Sequence, residues 1–430
     1  MTDTIFALSS GAPPAAIAVI RVSGPQAGPA LMALAGRLPP PRRAVLAALS
    51  DQAGAPLDQA MVLWLPGPGT ATGEDGAELH LHGGRAVVAA VEAALGALPG
   101  LRRAEPGEFT RRAFANGRID LAEAEGLADL LSAETELQRR GALAMAGGAL
   151  SRLVVDWRGR VLALSAAIEA ALDFAGDDEI EDDCALPPGF AQGCAVLAEE
   201  LGGWLARPCA EPLREGFRVV LAGPPNAGKS TLFNVLVEDE AAITAAEPGT
   251  TRDVLVRAVA LGGVPFAFVD TAGLRDEGAG AIEQIGIARA RVEAERADLV
   301  LWLGPEGEGP VDRTVWEVAA QADREDIPSK QHARFRVSAV TGQGLDALRV
   351  GLIEHARGAL PQPGAVALNA RQHALLAEVA VATGEAGRCS DALLAAESLR
   401  LARVALDRLV GRAGTEDMLD ALFGRFCIGK

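Results

Sequence analysis

The chain has 430 residues, 57 acidic against 40 basic, and a formal net charge of −17. Length suggests roughly three domains. A charge this negative excludes broad electrostatic coating of nucleic acid, though not a local basic patch.

In chain order, residues 1 to about 117 mix short strands with turns and helices. Ile17–Val22 and Ala60–Leu65 read as strands and Arg85–Leu98 as a helix. From Asp120 to about Glu211 the pattern is helical. Leu121, Ala124, Leu127, Leu130 and Leu131 are predicted to share one face. Pro187-Pro188 breaks this region after the acidic run Asp177 to Asp183, read as a solvated loop or helix end. Residues 216 to about 357 alternate strands and helices, as a doubly wound sheet does. Pro361-Gln-Pro-Gly364 marks a boundary, and helical periodicity returns from Arg371 to Phe426. The simplest organisation is a nucleotide-binding domain inserted between two halves of a helical domain.

Gly223-Pro-Pro-Asn-Ala-Gly-Lys-Ser230 matches G-x-x-x-x-G-K-S/T without a mismatch. An apolar strand, Phe217–Ala222, precedes it and a helical run from Thr231 follows. Backbone N–H groups of Asn226, Ala227 and Gly228 are expected to surround phosphates. Lys229 reaches the β- and γ-phosphates, and Ser230 offers a hydroxyl to Mg2+. Asp270-Thr271-Ala272-Gly273 follows the strand Phe266–Val269. Its Asp can hold Mg2+ through water and its Gly can present an N–H near the γ-phosphate. Gly249-Thr250-Thr251 lies between these motifs, where a GTPase carries its first switch, and Thr251 is the expected second Mg2+ ligand. Ser338-Ala339, after the strand Phe335–Val337, is placed to support a guanine ring. This order and spacing of short motifs points to a GTPase.

Guanine is normally read by Asn-Lys-x-Asp. Here the matching stretch is Ala320-Gln-Ala-Asp323. Asp323 can accept from the base, while the Asn that braces the phosphate loop and the Lys that covers the ring are absent. Weak nucleotide affinity is expected. Leu274 stands where Ras-like enzymes place a water-orienting glutamine, so another group or a cation must act. Glu283 is the nearest carboxylate. Its alternative is an exposed Glu at a helix start.

Beyond these motifs, Thr4-Ile5, Ala18–Gly24, Thr72-Gly-Glu-Asp75, His82-Gly-Gly84, Gly107–Leu121 and Cys427-Ile-Gly-Lys430 resemble the tRNA modification GTPase family called MnmE or TrmE, across essentially the whole chain. Ala71 departs from the family's aromatic, and the turn near Pro13-Pro14 is shortened. The resemblance implies an N-terminal α+β domain (1–118) that binds a tetrahydrofolate derivative and forms a homodimer. It implies a helical domain in two parts (119–214 and 359–430) and an inserted Ras-like α/β GTPase domain (215–358). Arg21, Glu78, Arg118 and Lys430 match folate-binding positions, for a 5,10-methylene- or 5-formyl-tetrahydrofolate. Asn226 matches a K+ ligand, with Ala245, Glu247 and Thr250 completing that site and Ala246 and Pro248 lining the nucleotide beside them. Glu283 matches the carboxylate that activates water. The implied partner is an FAD-containing MnmG-type protein, and the implied reaction modifies C5 of the tRNA wobble uridine.

The remaining features admit plainer readings. His80 and His82 share a strand face. With no third ligand near them, packing or a turn role outweighs metal binding. Cys427 is either a catalytic thiol or part of the folate site. The five tryptophans are dispersed and read as core, and Arg111-Arg112 and Arg139-Arg140 read as solvated or salt-bridged pairs. Only Lys229, Lys330 and Lys430 are lysines, so each site where one stands invites the question of why an ammonium is needed. Five scattered cysteines, no leader-like start and no bilayer-length apolar run predict a cytoplasmic protein with free thiols and no membrane. The competing reading is a GTP-switched RNA or ribosome assembly factor without one-carbon chemistry.

Overall fold

The computed structural model describes residues 3–174, 186–238, 255–270, 293, 295–324, 330–412, 416–424 and 426–430. Their packing divides into two units, Met1–Ala128 with Asp407–Lys430, and Asp129–Leu406.

The first unit is built on β1 (Thr4–Leu8), β2 (Ile17–Ser23), α1 (Ala27–Ala35), β3 (Val45–Ser50), β4 (Pro56–Leu65), β5 (Gly76–His82), α2 (Arg85–Gly96), β6 (Leu101–Arg103), α3 (Glu108–Ala115) and α4 (Leu121–Leu131). Its sheet runs β3-β4-β5-β2-β1-β6, antiparallel except where β1 meets β6. Strand alternation sorts the side chains. Ala18, Ile20 and Val22 of β2, with Ala77, Leu79 and Leu81 of β5, join Leu31 and Leu34 of α1 and Val88, Val91 and Leu95 of α2 in one buried core. The intervening positions, Arg21 on β2 and Glu78 and His80 on β5, are therefore thrown to the opposite face. There Ile5 and Ala7 of β1 pack with Phe109 of α3. Leu131 does not join the buried stripe predicted for α4: it is 48% exposed, at the last turn of the helix.

A short helix, Glu416–Phe423, and the residues after it complete this unit. Pro106 pairs with Ile428 in an antiparallel bridge. The Ser9 hydroxyl donates to the Gly429 carbonyl at 2.9 Å. Two glycines make the approach possible. A Cβ on Gly107 (φ +68) would lie 2.2 Å from the Phe423 carbonyl oxygen, and one on Gly429 (φ +95) would lie 2.1 Å from that of Leu8. Neither position tolerates a side chain.

The second unit combines helices with a second sheet. Its helices are α5 (Glu136–Ala146), α6 (Ala149–Phe174), α7 (Phe190–Leu205), α8 (Glu211–Glu215), α9 (Lys229–Glu238), α10 (Leu345–Ala359), α11 (Ala370–Arg388) and α12 (Ala392–Leu409). Thr135 and Asn369 start α5 and α11 with reciprocal capping boxes to Gln138 and Gln372. α7 follows the Pro187-Pro188 break and packs along α11. Its Cys194, Leu197 and Leu201 are fully buried, as are Leu376, Val379 and Ala386 of α11. Trp157 on α6 is fully buried, edge-on to Trp204 at 5.8 Å, with its indole N–H on Glu200 at 2.8 Å.

The second sheet contains β7 (Phe217–Ala222), β8 (Leu255–Leu261), β9 (Val264–Asp270), β10 (Leu299–Trp302), β11 (Val315–Ala319) and β12 (Phe335–Arg336). The order is β12-β11-β10-β7-β9-β8, parallel throughout except for the β8–β9 hairpin. Val219, Leu221, Phe266, Phe268, Leu299 and Leu301 pack on Leu232 and Leu236 of α9 and Leu348 and Leu352 of α10. The crossover from β10 to β11, residues 303–314, carries no helix. Such a connection usually does. The chain enters and leaves this part at one place. The Ala210 N–H donates to the Leu368 carbonyl at 2.9 Å, and the Ala370 N–H donates to the Glu211 carboxylate. Among the described residues no helix is long and apolar enough to cross a membrane.

Candidate functional site

β7 lies between β10 and β9, where the chain's winding direction reverses. In open α/β sheets ligands bind outside the carboxyl ends of strands at such a point. The loop 223–230 leaves β7 there and leads into α9, which Leu232 and Phe233 anchor in the core. Asn226 adopts a left-handed conformation (φ 62), and its side chain is exposed. Ala227 and Gly228 are half-buried, while Ser230 and Thr231 face solvent at the first turn. Lys229 is 7% exposed, and its ammonium donates to the carbonyls of Gly223 (2.9 Å) and Pro224 (2.7 Å). Those bonds fold the loop around its own lysine. Asp270 is 2% exposed at the end of β9, directly across from Leu221 of β7. Its carboxylate and the Ser230 hydroxyl are hard oxygen donors of the kind Mg2+ takes.

The loops after β11 and β12 bring Asp323 and Ser338 together. Ser338 is fully buried, and its hydroxyl donates to Asp323 at 2.5 Å. That bond comes first in holding the Asp323 carboxyl below the usual carboxylate range. The Ser338 hydroxyl thereby orients the acid, and Ala339 follows half-buried. Gln321, also left-handed (φ 58), donates its amide to the Asn226 carbonyl at 3.2 Å. Sequence reasoning treated this stretch as having lost its brace and missed this bond. A cavity of about 610 Å³ opens beside the phosphate loop, lined by Asn226, Ala320, Gln321, Glu306, Arg336 and Lys330 among others. Lys330 is buried in its wall, donating to the Trp302 carbonyl (2.7 Å) and to Glu317 (2.6 Å). Its ammonium ties β10 to β11. Ala245, Ala246, Glu247, Pro248, Gly249, Thr250, Thr251, Thr271, Ala272, Gly273 and Glu283 lie outside the described residues.

In the first unit the β2–β5 register sets Arg21 opposite Glu78, and the two side chains pair at 3.3 Å. His80, two residues on, reaches the other Glu78 oxygen at 3.2 Å, and His82 pairs with Asp58 at 2.8 Å. Lys430 follows Gly429, which lies against the Leu8 backbone, one strand from Arg21. Arg118 is exposed, with its stem against Gly73. Cys427 is exposed, and its carbonyl faces the Gly107 N–H. The loop 72–75 is held from two sides. Asn116 donates to the Thr72 carbonyl at 2.7 Å, and the Ser23 hydroxyl meets Thr72 at 2.7 Å and Glu74 at 2.8 Å. Behind it, the fully buried Arg112 pairs with Asp3 (3.0 Å), Glu74 (3.1 Å) and Glu108 (3.0 Å). Burial pushes the Asp3 and Glu108 carboxyls up, but bonds and charge from Arg102 and Arg112 outweigh it and both sit below the usual range. Arg111 pairs with Asp420. The arginine pair of the Gly107–Leu121 stretch is thus engaged in ion pairs within the unit, and Arg139 and Arg140 both pair with Glu136.

Residues 4–118 match the family described as GTP-binding protein TrmE N-terminus, and residues 121–427 match the MnmE helical domain. The chain belongs to the MnmE family of tRNA modification GTPases. It is a GTPase, with an N-terminal domain, a helical domain and a mostly parallel α/β sheet that carries the phosphate loop. Relatives named MnmE span its full length. The tRNA modification GTPase MnmE of Novosphingobium aromaticivorans is 71% identical over 100% of both chains. That of Erythrobacter litoralis is 63% identical, again over 100% of both. The MnmE of Zymomonas mobilis is 51% identical over 99% of this chain and 100% of its own. Among solved structures, the G domain of the T. maritima FeoB iron transporter is 24% identical and covers 32% of this chain and 98% of its own, at a TM-score of 0.24. At that score the likeness adds nothing to the family matches.

Proposed function

We propose that the chain is a K+-stimulated cytoplasmic GTPase that acts on tRNA as a homodimer with an FAD-containing MnmG-type partner. Together they install a (carboxymethyl)aminomethyl group at C5 of the wobble uridine, and GTP hydrolysis drives domain movement. Full-length similarity to tRNA modification GTPases carries this reading. The donor chemistry agrees with it. Ser230 and Asp270 offer oxygens for Mg2+, and Asn226 carries an exposed side-chain carbonyl at the phosphate loop. A monovalent cation bound there supplies positive charge where an arginine finger would otherwise stand. Glu283 is the proposed water-activating carboxylate, and Thr251, Ala245, Glu247 and Thr250 the remaining cation ligands.

Arg21, Glu78, Arg118 and Lys430 are the proposed folate contacts, with Cys427 beside them. Cationic side chains suit the carboxylates of a folate tail, and a carboxylate suits the ring N–H groups. When bound, the folate supplies the one-carbon unit. The residues of this chain orient it, and Glu78 is held in place by Arg21 and His80. GTP turnover by the full chain should be several-fold faster in KCl than in NaCl at equal ionic strength, and equal rates would refute the cation role. Binding of 5-formyltetrahydrofolate to the full chain tests the rest, and its absence would remove the one-carbon chemistry.

A further inference from the structure

The Asn-Lys-x-Asp position of this chain begins with Ala320, which has no polar group to offer the phosphate loop. We propose that the neighbouring Gln321 takes over that role and acts as a positioning residue that pre-sets the loop for the nucleotide. The proposal rests on the reading that residues 223–230 hold nucleotide phosphates. Three observations carry it.

The Gln321 carboxamide donates to the carbonyl of Asn226, at the point where the loop turns through a left-handed residue. The same side chain lies along the loop. A Cβ on Gly228 would meet its Nε2 at 3.2 Å and its Cγ at 3.3 Å. The backbone that presents it is itself strained and pinned. Gln321 sits at φ 58, a region that Asn or Gly occupies more readily than Gln. It is held there by the Arg324 N–H on its own carbonyl (3.0 Å) and by the Ala322 N–H on the Val337 carbonyl (3.0 Å). A residue kept in an unfavourable conformation while its side chain makes a specific bond is the pattern expected of a functional constraint.

The consequence is a short mechanical link. Asp323, the proposed base-reading acid, is fixed by Ser338 two residues after Gln321. One tight loop therefore grips Asn226 at one end and presents the base acceptor at the other. Occupying the base site and ordering the phosphate loop become one event.

The test uses the full chain with Mg2+ in NaCl, so that the K+ reading is not engaged. Gln321→Glu keeps the shape and removes the N–H donor, while Gln321→Ala removes the side chain. Each should weaken GDP about two- to tenfold, the worth of one hydrogen bond. GTP should lose the same factor, because the brace acts on both. In turnover KM should rise by that factor while kcat stays within about twofold. Gln321→Asn, relaxed in the left-handed region but one methylene short, should fall between wild type and Gln321→Ala. GDP affinity of Gln321→Glu equal to wild type would overturn the proposal. So would a loss confined to GTP, or a fall in kcat at unchanged KM. Equal wild-type turnover in KCl and NaCl would sink the cation reading alone and leave this one standing.

Discussion

Replacing Arg112 by methionine keeps most of the buried stem and removes the charge. The guanidinium is fully buried and bonded to three carboxylates, so the question is which of them is left alone. Glu108 keeps both bonds from Arg102, at 2.6 and 2.8 Å, and Asp3 keeps one at 2.7 Å. Glu74, with its side chain 13% exposed, keeps the Ser23 hydroxyl and loses its cation. Removing one partner of a buried pair costs about 3–5 kcal/mol, and one orphaned, still hydrogen-bonded carboxylate puts the cost near the lower figure. For a unit of this size each kcal/mol moves the melting point roughly 2–4 °C, so a fall of about 6–12 °C is expected. Calorimetry of the full chain measures it, and hydrogen exchange in residues 1–128 assigns the loss to this unit. The double variant Arg112→Met/Glu74→Gln should recover part of the loss, because no buried charge then lacks a partner. A melting point within about 2 °C of wild type for Arg112→Met, or a double variant worse than the single one, would refute the reasoning.

Three further outcomes follow from the same geometry. Asp3 and Glu108 have folded values below their unfolded ones, so their contribution is complete above about pH 4 and disappears as pH falls through the folded values. Melting temperature against pH should therefore be flatter below about pH 4 in Glu108→Gln than in wild type, and parallel curves would contradict the assignment. Gly429→Ala forces a Cβ onto the Leu8 carbonyl at a positive φ, with strain of about 1–3 kcal/mol. Amides of residues 426–430 should exchange faster and 5-formyltetrahydrofolate should bind less tightly, whereas unchanged affinity would detach the tail from the folate site. Asp323→Ala should weaken GDP by about tenfold or more through loss of charged hydrogen bonds to the base, leaving ADP unaffected. Equal losses for the two nucleotides would show that this acid does not read guanine.

The phosphate loop was legible because its chemistry needs contiguous residues between a strand and a helix. The strands Ile17–Ser23 and Pro56–Leu65 were legible because alternation reports which face is buried. Alternation also explains why Arg21 and Glu78 meet, since both occupy the face left over after the core is filled. What stayed hidden depends on distance or dihedral angle. Gln321 looks like a lost lysine until its left-handed backbone aims it 95 positions back along the chain at Asn226. Arg112 is one of an ordinary arginine pair until strand pairing and α3 place Asp3, Glu74 and Glu108 around it. Leu131 lies on the predicted helix but at its last residue, where it is exposed rather than buried.

The docking of residues 426–430 against β1 has a temporal consequence. The first unit is made from both ends of the described chain, with everything from Asp129 to Leu406 in between. During synthesis its sheet emerges first and must wait, unfinished, while the whole GTPase-bearing stretch is made. Closing so long a loop adds little entropy cost beyond a shorter one, because the penalty grows only with the logarithm of length. The delay is thus kinetic. The surface beside Leu8 and Ser9 that the tail covers stays bare until translation has passed Gly429. A nascent chain halted before that point would expose it to a holding chaperone or a protease.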